Sequence, residues 1–297
     1  MFKQMNKGHF RAFGKPVVNI YINDKKLDDW ISFNVEQNGL GDIDTFEIEL
    51  QWDISNEPRN DMFYSGANSS SFIVKERAVI KIDIGFEGEQ IKTLIEGEMD
   101  YPEWDFSDKE VVKLVGRSYA SRPYDFVATK KYQNMTSTEV HKKICEIHGL
   151  TPVVPVATNT LIGEYVNNDH STVAEEMSHW DYILFLAEQE GFVSRVQGKN
   201  WYFGPLQMID EYKKEPRPFS YGHNIRNLKM KRAPNASRNL KVEVISWQPG
   251  NKKSKGSRII EKGSIGDTSG DNVYTIRRNI PNITRKQAQQ QVKNLCD

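Results

Sequence analysis

Cysteine is scarce in this chain, and long apolar runs are missing. Only Cys145 and Cys296 occur among the 297 residues. Two cysteines are too few for a disulfide framework, so we expect a reducing compartment. No stretch of about 18 consecutive apolar residues exists, which excludes an obvious membrane-spanning helix. The N-terminal segment also lacks the apolar core of a signal peptide, so the sequence predicts a protein made in the cytoplasm.

An excess of one charge is missing as well. The chain has 40 basic and 40 acidic residues, for a formal net charge of zero. Proteins that bind nucleic acid usually carry a basic excess, so specific nucleic-acid binding is not expected. Balanced charge also means that copies of the chain do not repel each other at long range. Hydrophobic residues make up 38% of the chain and aromatic residues 11%, which is enough for folded cores.

The pattern of residues 1–122 predicts short strands separated by turns. Phe46, Ile48 and Leu50 alternate with polar neighbours, as in a strand with one buried face. Many short strands at this spacing are typical of a β-barrel or a sandwich, and we predict them at 17–22, 30–35, 45–50, 78–86, 91–95 and 111–115. The polar segment 53–71 is predicted to be a long loop, either a mobile surface loop or a partner-binding loop. We assign 1–122 to a first barrel-like domain.

Residues 123–212 have a different pattern, which predicts a small α/β domain. Thr136 and Glu139 form a capping-box pair at the start of a helix, and Gly149 lies where its C-terminal cap belongs. The same signals place the start of a second helix at 172–175 and its end at Gly191. Residues 192–203 then predict a β-hairpin.

Residues 213–297 are predicted to form a second barrel-like domain that ends in a helix. Strands are predicted at 225–230, 240–247 and 273–276, and Thr284 with Gln287 marks the start of the last helix. The predicted fold class is thus mixed β with an α/β insertion, in which two β-barrel-like domains flank a small α/β domain.

Three potential metal ligands share one side of the first predicted helix. His141, Cys145 and His148 are spaced at four and then three residues, and both residue types bind zinc. The apolar face of the same helix consists of Val140, Ile144 and Ile147. A helix turns about 100° per residue, so the three potential ligands lie at the border of that face, where His and Cys also occur without a metal. No fourth ligand is evident, so we predict no metal and no cofactor and keep these residues as candidates by spacing alone.

No arrangement in the sequence indicates catalysis. Four carboxylates cluster near the end of the first domain: Asp100, Glu103, Asp105 and Asp108. A glycosidase needs two carboxyl groups across a cleft with separated pKa values, and one strand-to-turn segment is better explained as a solvated loop. No nucleophile-elbow motif occurs. We therefore predict that the chain is not an enzyme and has no catalytic or cofactor-binding residue.

Two further groups have both a binding and a structural interpretation. Trp180 and Trp201 would suit an aromatic ligand site, but an apolar helix face and a hairpin favour packing in the core. Three lysines within 248–257 would suit contact with DNA or an acidic partner, and a solvated turn explains them equally well: Lys252, Lys253 and Lys255.

Three segments together carry a family resemblance. The first joins 95–99 to 112–117, the second runs from 131–140 through 148–150, and the third runs from 180–192 through the hairpin to 204–205. In these segments the chain resembles the phage late control protein D and tail-hub family. That family includes the baseplate hubs of contractile-tailed phages and the hub portion of type VI secretion spike proteins. The third segment is the most specific, and the order of elements agrees over most of the chain.

The resemblance implies a structural role. Hubs of this family have two barrels with small inserted domains, and three copies form a ring whose six barrels imitate six-fold symmetry. Such a ring joins a six-fold tail tube to a three-fold spike. The chain is accordingly expected in the baseplate of a virion tail, as a homotrimer. Its expected partners are the tail tube or distal tube protein, the central spike protein and other baseplate proteins.

The chain departs from the family pattern at two places. Family members often have Gly-Arg-Asp after the first barrel, where this chain has Gly116, Arg117 and Ser118. Members usually continue past the final helix with further strands, so that either something else completes the second barrel or the chain is a shortened form. Two other functions stay open: a wall-degrading hydrolase, and a carbohydrate- or receptor-binding tail module that acts through the 53–71 loop.

Overall fold

The chain divides into two units in the computed structural model. Unit 1 comprises Met1–Arg122 with Val196–Asn200, and unit 2 comprises Pro123–Arg195 with Trp201–Asp297. The division into three domains at residues 122 and 212 stays a prediction. The structure describes residues 15–28, 30–51, 78–105, 111–127, 130–133, 135–159, 161–162, 171–174, 177–210, 218–220, 225, 227–231, 239–248, 256–266, 269, 273–280 and 283–296.

Unit 1 contains a seven-stranded sheet. Its strands are β1 (Pro16–Ile22), β2 (Lys25–Leu27), β3 (Trp30–Glu36), β4 (Thr45–Gln51), β5 (Val79–Phe86), β6 (Lys92–Asp105) and β7 (Val111–Ser118). They lie in the order β2-β1-β5-β6-β7-β4-β3, and all neighbours are antiparallel. Asn23 and Asp24 form the tight turn between β1 and β2 with positive φ angles of 47° and 64°, a conformation that these residue types tolerate. A short helix, α1 (Ser121–Asp125), follows β7.

Alternation along each strand collects the apolar side chains on one face of this sheet. In β4, Phe46, Ile48 and Leu50 are buried. They pack with apolar side chains from the neighbouring strands, among them Ile20, Ile80, Ile82, Met99, Val112 and Leu114. Each large aliphatic side chain buried in this way contributes roughly 1.5–3 kcal/mol. The polar residues of the same strands are therefore left on the opposite, outer face.

The two edge strands of the sheet are consecutive in the chain. Leu27 ends β2 and Trp30 begins β3, and three peptide units span at most about 11 Å. The sheet must therefore curl so that its two edges approach each other. Among the described residues no ladder joins β2 to β3, so the sheet is barrel-like and its hydrogen bonding does not close.

The first part of unit 2 combines helices with short strands, and the turn region of its hairpin, residues 196–200, belongs to unit 1. In chain order these are β8 (Lys130–Gln133), α2 (Ser137–His148), β9 (Thr151–Val153), β10 (Ser171–Ala174), α3 (His179–Glu190), β11 (Val193–Gln197), β12 (Asn200–Gly204) and a 3-10 turn at Leu206–Met208. The predicted hairpin is confirmed as β11 and β12, which form a sheet in the order β11-β12-β9. The hairpin turns at Gly198, where φ is +53°.

The predicted caps of α2 are confirmed. The Thr136 side chain accepts a hydrogen bond from the backbone N–H of Glu139, and the Glu139 carboxylate accepts one from the backbone N–H of Thr136 at 2.7 Å. Gly149 ends the helix in the left-handed conformation, with φ at 64°. Both ends of α2 are thus determined by local sequence.

Replacing Thr136 by alanine is expected to lower the free energy of unfolding by about 1 kcal/mol, because the Glu139 N–H loses its acceptor. Urea unfolding followed by circular dichroism would measure the change. Lys142→Ala, on the exposed side of the same helix, is the matched control and should change stability by less than about 0.5 kcal/mol. Equal effects of the two substitutions would contradict the capping role.

The predicted start of the second helix is wrong. Residues 171–174 form β10 instead, which pairs with β8. The helix α3 begins at His179, and Ser178 caps it: the Ser178 Oγ accepts a hydrogen bond from the backbone N–H of Asp181 at 3.0 Å. Capping signals occur both at 172–175 and at Ser178. The helix begins after the second of these, because residues 171–174 are paired with β8.

The last part of unit 2 is a three-stranded sheet with a helix on one face. It contains β13 (Asn239–Gln248), β14 (Ser257–Ile265), β15 (Val273–Asn279) and α4 (Arg285–Cys296). The strand order is β14-β13-β15, with β14 antiparallel and β15 parallel to β13. Val242 and Val244 pack against Ala288 and Val292 of α4. At Gly263 the helix is so close that an added Cβ would lie 2.5 Å from Val292 Cγ1.

Two strand predictions in this region are corrected. β14 was not predicted, because its alternating apolar residues are few and mixed with charges. The strand predicted at 225–230 is wrong: residues 227–231 form no strand, and Leu228 and Met230 are exposed. An alternating segment forms a strand only when a neighbour pairs with it and covers one face.

The predicted fold class, mixed β with an α/β insertion, is confirmed. Across the described ranges, neither large sheet closes into a barrel by hydrogen bonds. In the same part of the chain, no helix is long and apolar enough to cross a membrane.

Candidate functional site

The side of α2 that carries the candidate metal ligands is buried, contrary to the prediction. Ile147 is 45% exposed, although it was assigned to the apolar face. The three candidates His141, Cys145 and His148 are buried instead. The reason is the hairpin, which presents Trp201 and Phe203 to this side of the helix. The His141 ring stacks on Phe203 and meets Trp201 edge-on, each with a centroid distance of 5.1 Å.

Burial keeps His141 and Cys145 neutral. Loss of solvent, with a smaller effect of the Lys142 charge, lowers the pKa of His141 to about 3. Loss of solvent, followed by the Glu146 charge, raises the pKa of the Cys145 thiol to about 12. The Cys145 Sγ lies 3.5 Å from His141 Nε2. A neutral thiol beside a neutral imidazole is not an activated nucleophile, because nucleophilic attack requires the thiolate.

His148 contacts a different partner. Its Nε2 lies 2.8 Å from Nδ1 of His179, so one ring nitrogen donates a hydrogen bond to the other. Phe126 packs against both rings, at centroid distances of 5.4 and 4.7 Å. The three candidates are therefore split between two buried contacts. In the part of the chain that the structure describes, no group of three or more His, Cys, Asp or Glu residues is arranged to hold a metal.

The packing interpretation of Trp180 and Trp201 is confirmed. Both are buried, and their rings stack at a centroid distance of 5.6 Å with 22° between the planes. The Trp201 Nε1–H donates a hydrogen bond to Ser194 Oγ at 2.8 Å. Neither ring has an exposed face, and the Trp201 indole N–H has a partner. The pair therefore joins α3 to the hairpin and offers no surface to a ligand.

The clustered carboxylates lie on a strand, where a solvated loop was predicted. Asp100 and Glu103 belong to β6, which continues to Asp105. The Arg117 guanidinium donates two hydrogen bonds to the Asp100 carboxylate, at 2.6 and 2.8 Å. In this bidentate ion pair both oxygens of the Asp100 carboxylate are held by Arg117.

Three other sequence candidates lie outside the described residues. They are the 53–71 loop, the lysines Lys252, Lys253 and Lys255, and the fourth clustered carboxylate, Asp108.

A cavity of about 470 Å³ in unit 2 is lined by polar groups from α3 and α4. These groups bond within the chain: Gln291 Nε2 donates to the backbone oxygen of Gln189 at 2.9 Å, and Ser137 Oγ donates to Glu190 at 2.7 Å. Burial raises the pKa of Glu190, and the hydrogen bond from Ser137 opposes this. The Gln291 contact joins α4 to α3, and the Ser137 contact joins α2 to α3. We assign no ligand to this cavity.

The outer face of the unit 1 sheet is acidic where β6, β7, β4 and β3 lie side by side. Four glutamates and one lysine lie on this face: Glu36, Glu47, Glu49, Glu103 and Lys113. The same registers place Arg117, which is paired with Asp100, and the buried Glu98, which is paired with Arg122, on this side of the sheet. Lys113 Nζ lies 2.8 Å from Glu47 Oε1, and this contact, with weaker effects of Glu49 and Glu103, raises the pKa of Lys113. Tyr101 lies on the same face and is 53% exposed. We call the four glutamates, Lys113 and Tyr101 the acidic face; the charges of these residues sum to minus three, beside the two ion pairs.

The outer face of the unit 2 sheet, opposite α4, has the reverse charge. Four cations and one glutamate share it: Lys241, Arg258, Lys262, Arg277 and Glu243. Glu243 lies 2.8 Å from Arg277 Nε and 3.1 Å from Lys262 Nζ. These two hydrogen bonds, that of Arg277 first, lower the pKa of Glu243. Trp247 and Ile260 lie on the same face, 60% and 42% exposed. We call this set the basic face; its charges sum to plus three.

Sequence reasoning missed both faces. The alternation that places Glu47 and Glu49 outside was visible, but a charged face also depends on which strands are neighbours. β4 pairs with β7, which lies some sixty residues later in the chain, and the unpredicted β14 supplies two of the four cations of the basic face. Strand order and register, which the sequence does not state, bring these charges together.

The sequence matches no known protein-family model and no curated protein. Solved structures give a different result, because fold is compared directly. A 43 kDa tail protein of prophage MuSo2 from Shewanella oneidensis has a TM-score of 0.58 at 14% identity, covering 94% of this chain and 77% of the other. A tail protein from Neisseria meningitidis has a TM-score of 0.61 at 14% identity, covering 94% and 75%. The chain therefore has the fold of phage tail proteins, and the resemblance inferred from sequence is confirmed at the level of the fold.

Proposed function

We propose that the chain is a structural baseplate hub of a phage-type tail. Three copies would form a ring with pseudo-six-fold symmetry that joins the tail tube to the central spike. The observation that carries the proposal is the likeness in fold to two phage tail proteins over 94% of the chain. The three sequence segments that resemble tail hubs support it independently.

A mechanical role agrees with the chemistry of the described side chains. Two of the reactive groups are engaged within the fold: Asp100 is paired with Arg117, and the Cys145 thiol is buried beside a neutral His141. The exposed groups are instead the charged and aromatic side chains of two sheet faces, which suit contact with other proteins.

The expected partners follow from this role. Besides its own copies they are the tail tube or distal tube protein, the central spike protein and other baseplate proteins, and the place of the chain is the virion tail. Co-purification with candidate tube and spike proteins from the same virion would test these contacts directly.

The purified chain is expected to have a solution mass near three times the 34.3 kDa of one copy. Light scattering over a range of concentrations would measure it, and dilution should shift the mass toward the monomer if the ring is reversible. A monomeric mass at every concentration would contradict the trimer. Incubation with purified peptidoglycan is the companion assay, because sustained turnover would favour the hydrolase over the hub.

A further inference from the structure

We propose that copies of this chain associate head to tail, with the acidic face of one copy packed on the basic face of the next. The inference rests on the proposed trimer and names the surfaces that hold it together. Its basis is the correspondence between the two faces. One carries four glutamates and a lysine, and the other carries four cations and a glutamate.

Among the described residues, each face carries an excess of one charge. On the acidic face Lys113 is paired with Glu47, and Ser32 Oγ donates to Glu49 at 2.6 Å. On the basic face Lys262 and Arg277 are held by Glu243. The described residues of the two faces therefore have net charges of opposite sign. Such complementarity attracts the two surfaces and opposes like-with-like contacts.

Apolar side chains lie among the charges of both faces. Tyr101 on the acidic face pairs across the ladder with Val115, and Trp247 on the basic face adjoins Ile260. Aromatic side chains with exposed rings inside a polar rim are the usual anchors of protein interfaces. Burying Tyr101 and Trp247 would supply affinity that charges alone do not, since exposed ion pairs contribute little.

The occupant is a second copy because the two faces belong to one chain whose total charge is zero. A contact between two different surfaces is heterologous, so each added copy leaves one acidic and one basic face free until a ring closes. A closed ring of three satisfies all six faces. A two-fold symmetric contact, in which a face packs on the same face of another copy, would give a dimer instead of a ring of three.

Two charge-reversal variants separate the faces. The acidic-face variant carries Glu36→Lys and Glu103→Lys, and the basic-face variant carries Lys241→Glu and Arg258→Glu. All four side chains lie on strands whose opposite side is in the core, so folding is checked by circular dichroism and thermal unfolding. Controls with equal charge changes outside both faces are Glu87→Lys with Glu89→Lys, and Lys142→Glu with Lys143→Glu, all of them exposed.

Sedimentation velocity would measure assembly. Each face variant alone is expected to raise the concentration needed for assembly by at least about tenfold, whereas the controls leave it unchanged. A chain that carries both sets of reversals should recover the trimer, because its faces are again opposite in charge. An equal mixture of the two single-face variants should instead give open chains or even-numbered rings, since an odd ring forces one like-charged contact.

The outcomes are distinct. If the wild type forms trimers and both face variants form them equally well, the surface assignment is overturned and the proposed hub is unaffected. A wild type that stays monomeric throughout would overturn both. If the equal mixture of the two single-face variants formed a normal trimer, the head-to-tail arrangement of acidic on basic faces would be overturned. Binding of a DNA duplex by the basic face, with assembly unaffected by its reversal, would assign that face to nucleic acid instead.

Discussion

Replacing Trp201 by alanine is expected to lower the free energy of unfolding by about 3–5 kcal/mol, the range for truncating a buried aromatic side chain. Trp201 is fully buried and stacks on Trp180 at 5.6 Å. Its edge contact with His141 and its hydrogen bond to Ser194 Oγ would be lost in the same step. The substitution would thus leave a cavity between α2, α3 and the hairpin. The shift in the urea midpoint, with an unchanged slope, measures the loss.

Trp247→Ala is the matched control for this substitution. The same side chain is removed, but from a position that is 60% exposed, so stability should change by less than about 0.5 kcal/mol. The control has a second use, because Trp247 lies on the basic face. We expect Trp247→Ala to weaken assembly without affecting the stability of the monomer. Equal destabilisation by the two substitutions would show that Trp201 is not the centre of the unit 2 core.

The chain is expected to lose stability steeply below about pH 6.5 because of His141. Burial lowers the pKa of His141 from 6.5 to about 3. Between these values the unfolded chain binds a proton that the folded chain does not, so acid favours unfolding. The free energy of unfolding should fall by about 1.4 kcal/mol per pH unit from this group alone. Above pH 6.5 both states have a neutral ring, and His141 contributes no pH dependence.

Urea unfolding of the wild type and of His141→Gln at a series of pH values tests this origin. The glutamine is neutral throughout, so the difference in stability between the two proteins should shrink by about 2 kcal/mol on going from pH 6.5 to about pH 4.5. Lys142→Ala, which removes a neighbouring charge and keeps the buried ring, should retain most of the slope. Parallel pH profiles for wild type and His141→Gln would show that another group governs acid unfolding.

The elements that were predicted correctly are those with local causes. Thr136, Glu139 and Gly149 mark the ends of α2 by hydrogen bonds within a few residues, and Thr284 with Gln287 marks the start of α4 in the same way. Alternation in β4 likewise depends only on the period of a strand. The residues that form a cap or set the period of a strand are neighbours in sequence, so these features can be predicted from the sequence alone.

The errors have a common physical reason. Residues 171–174 carry a good helix start but form a strand, because β8 pairs with them. Ile147 belongs to an apolar pattern but is exposed, because the aromatic rings of the hairpin pack on His141 instead. In both cases the interaction with a distant segment outweighs a local preference.

The sequence by itself determined the mixed β class, the caps of α2, the start of α4, the hairpin and the resemblance to tail hubs. Tertiary structure alone decided which histidines are buried, which carboxylate Arg117 holds, and that two sheet faces of opposite charge exist. Helix ends and strand periods depend on neighbours in sequence. A charged face depends on the order and register of strands that lie far apart in the chain, and only folding brings them side by side.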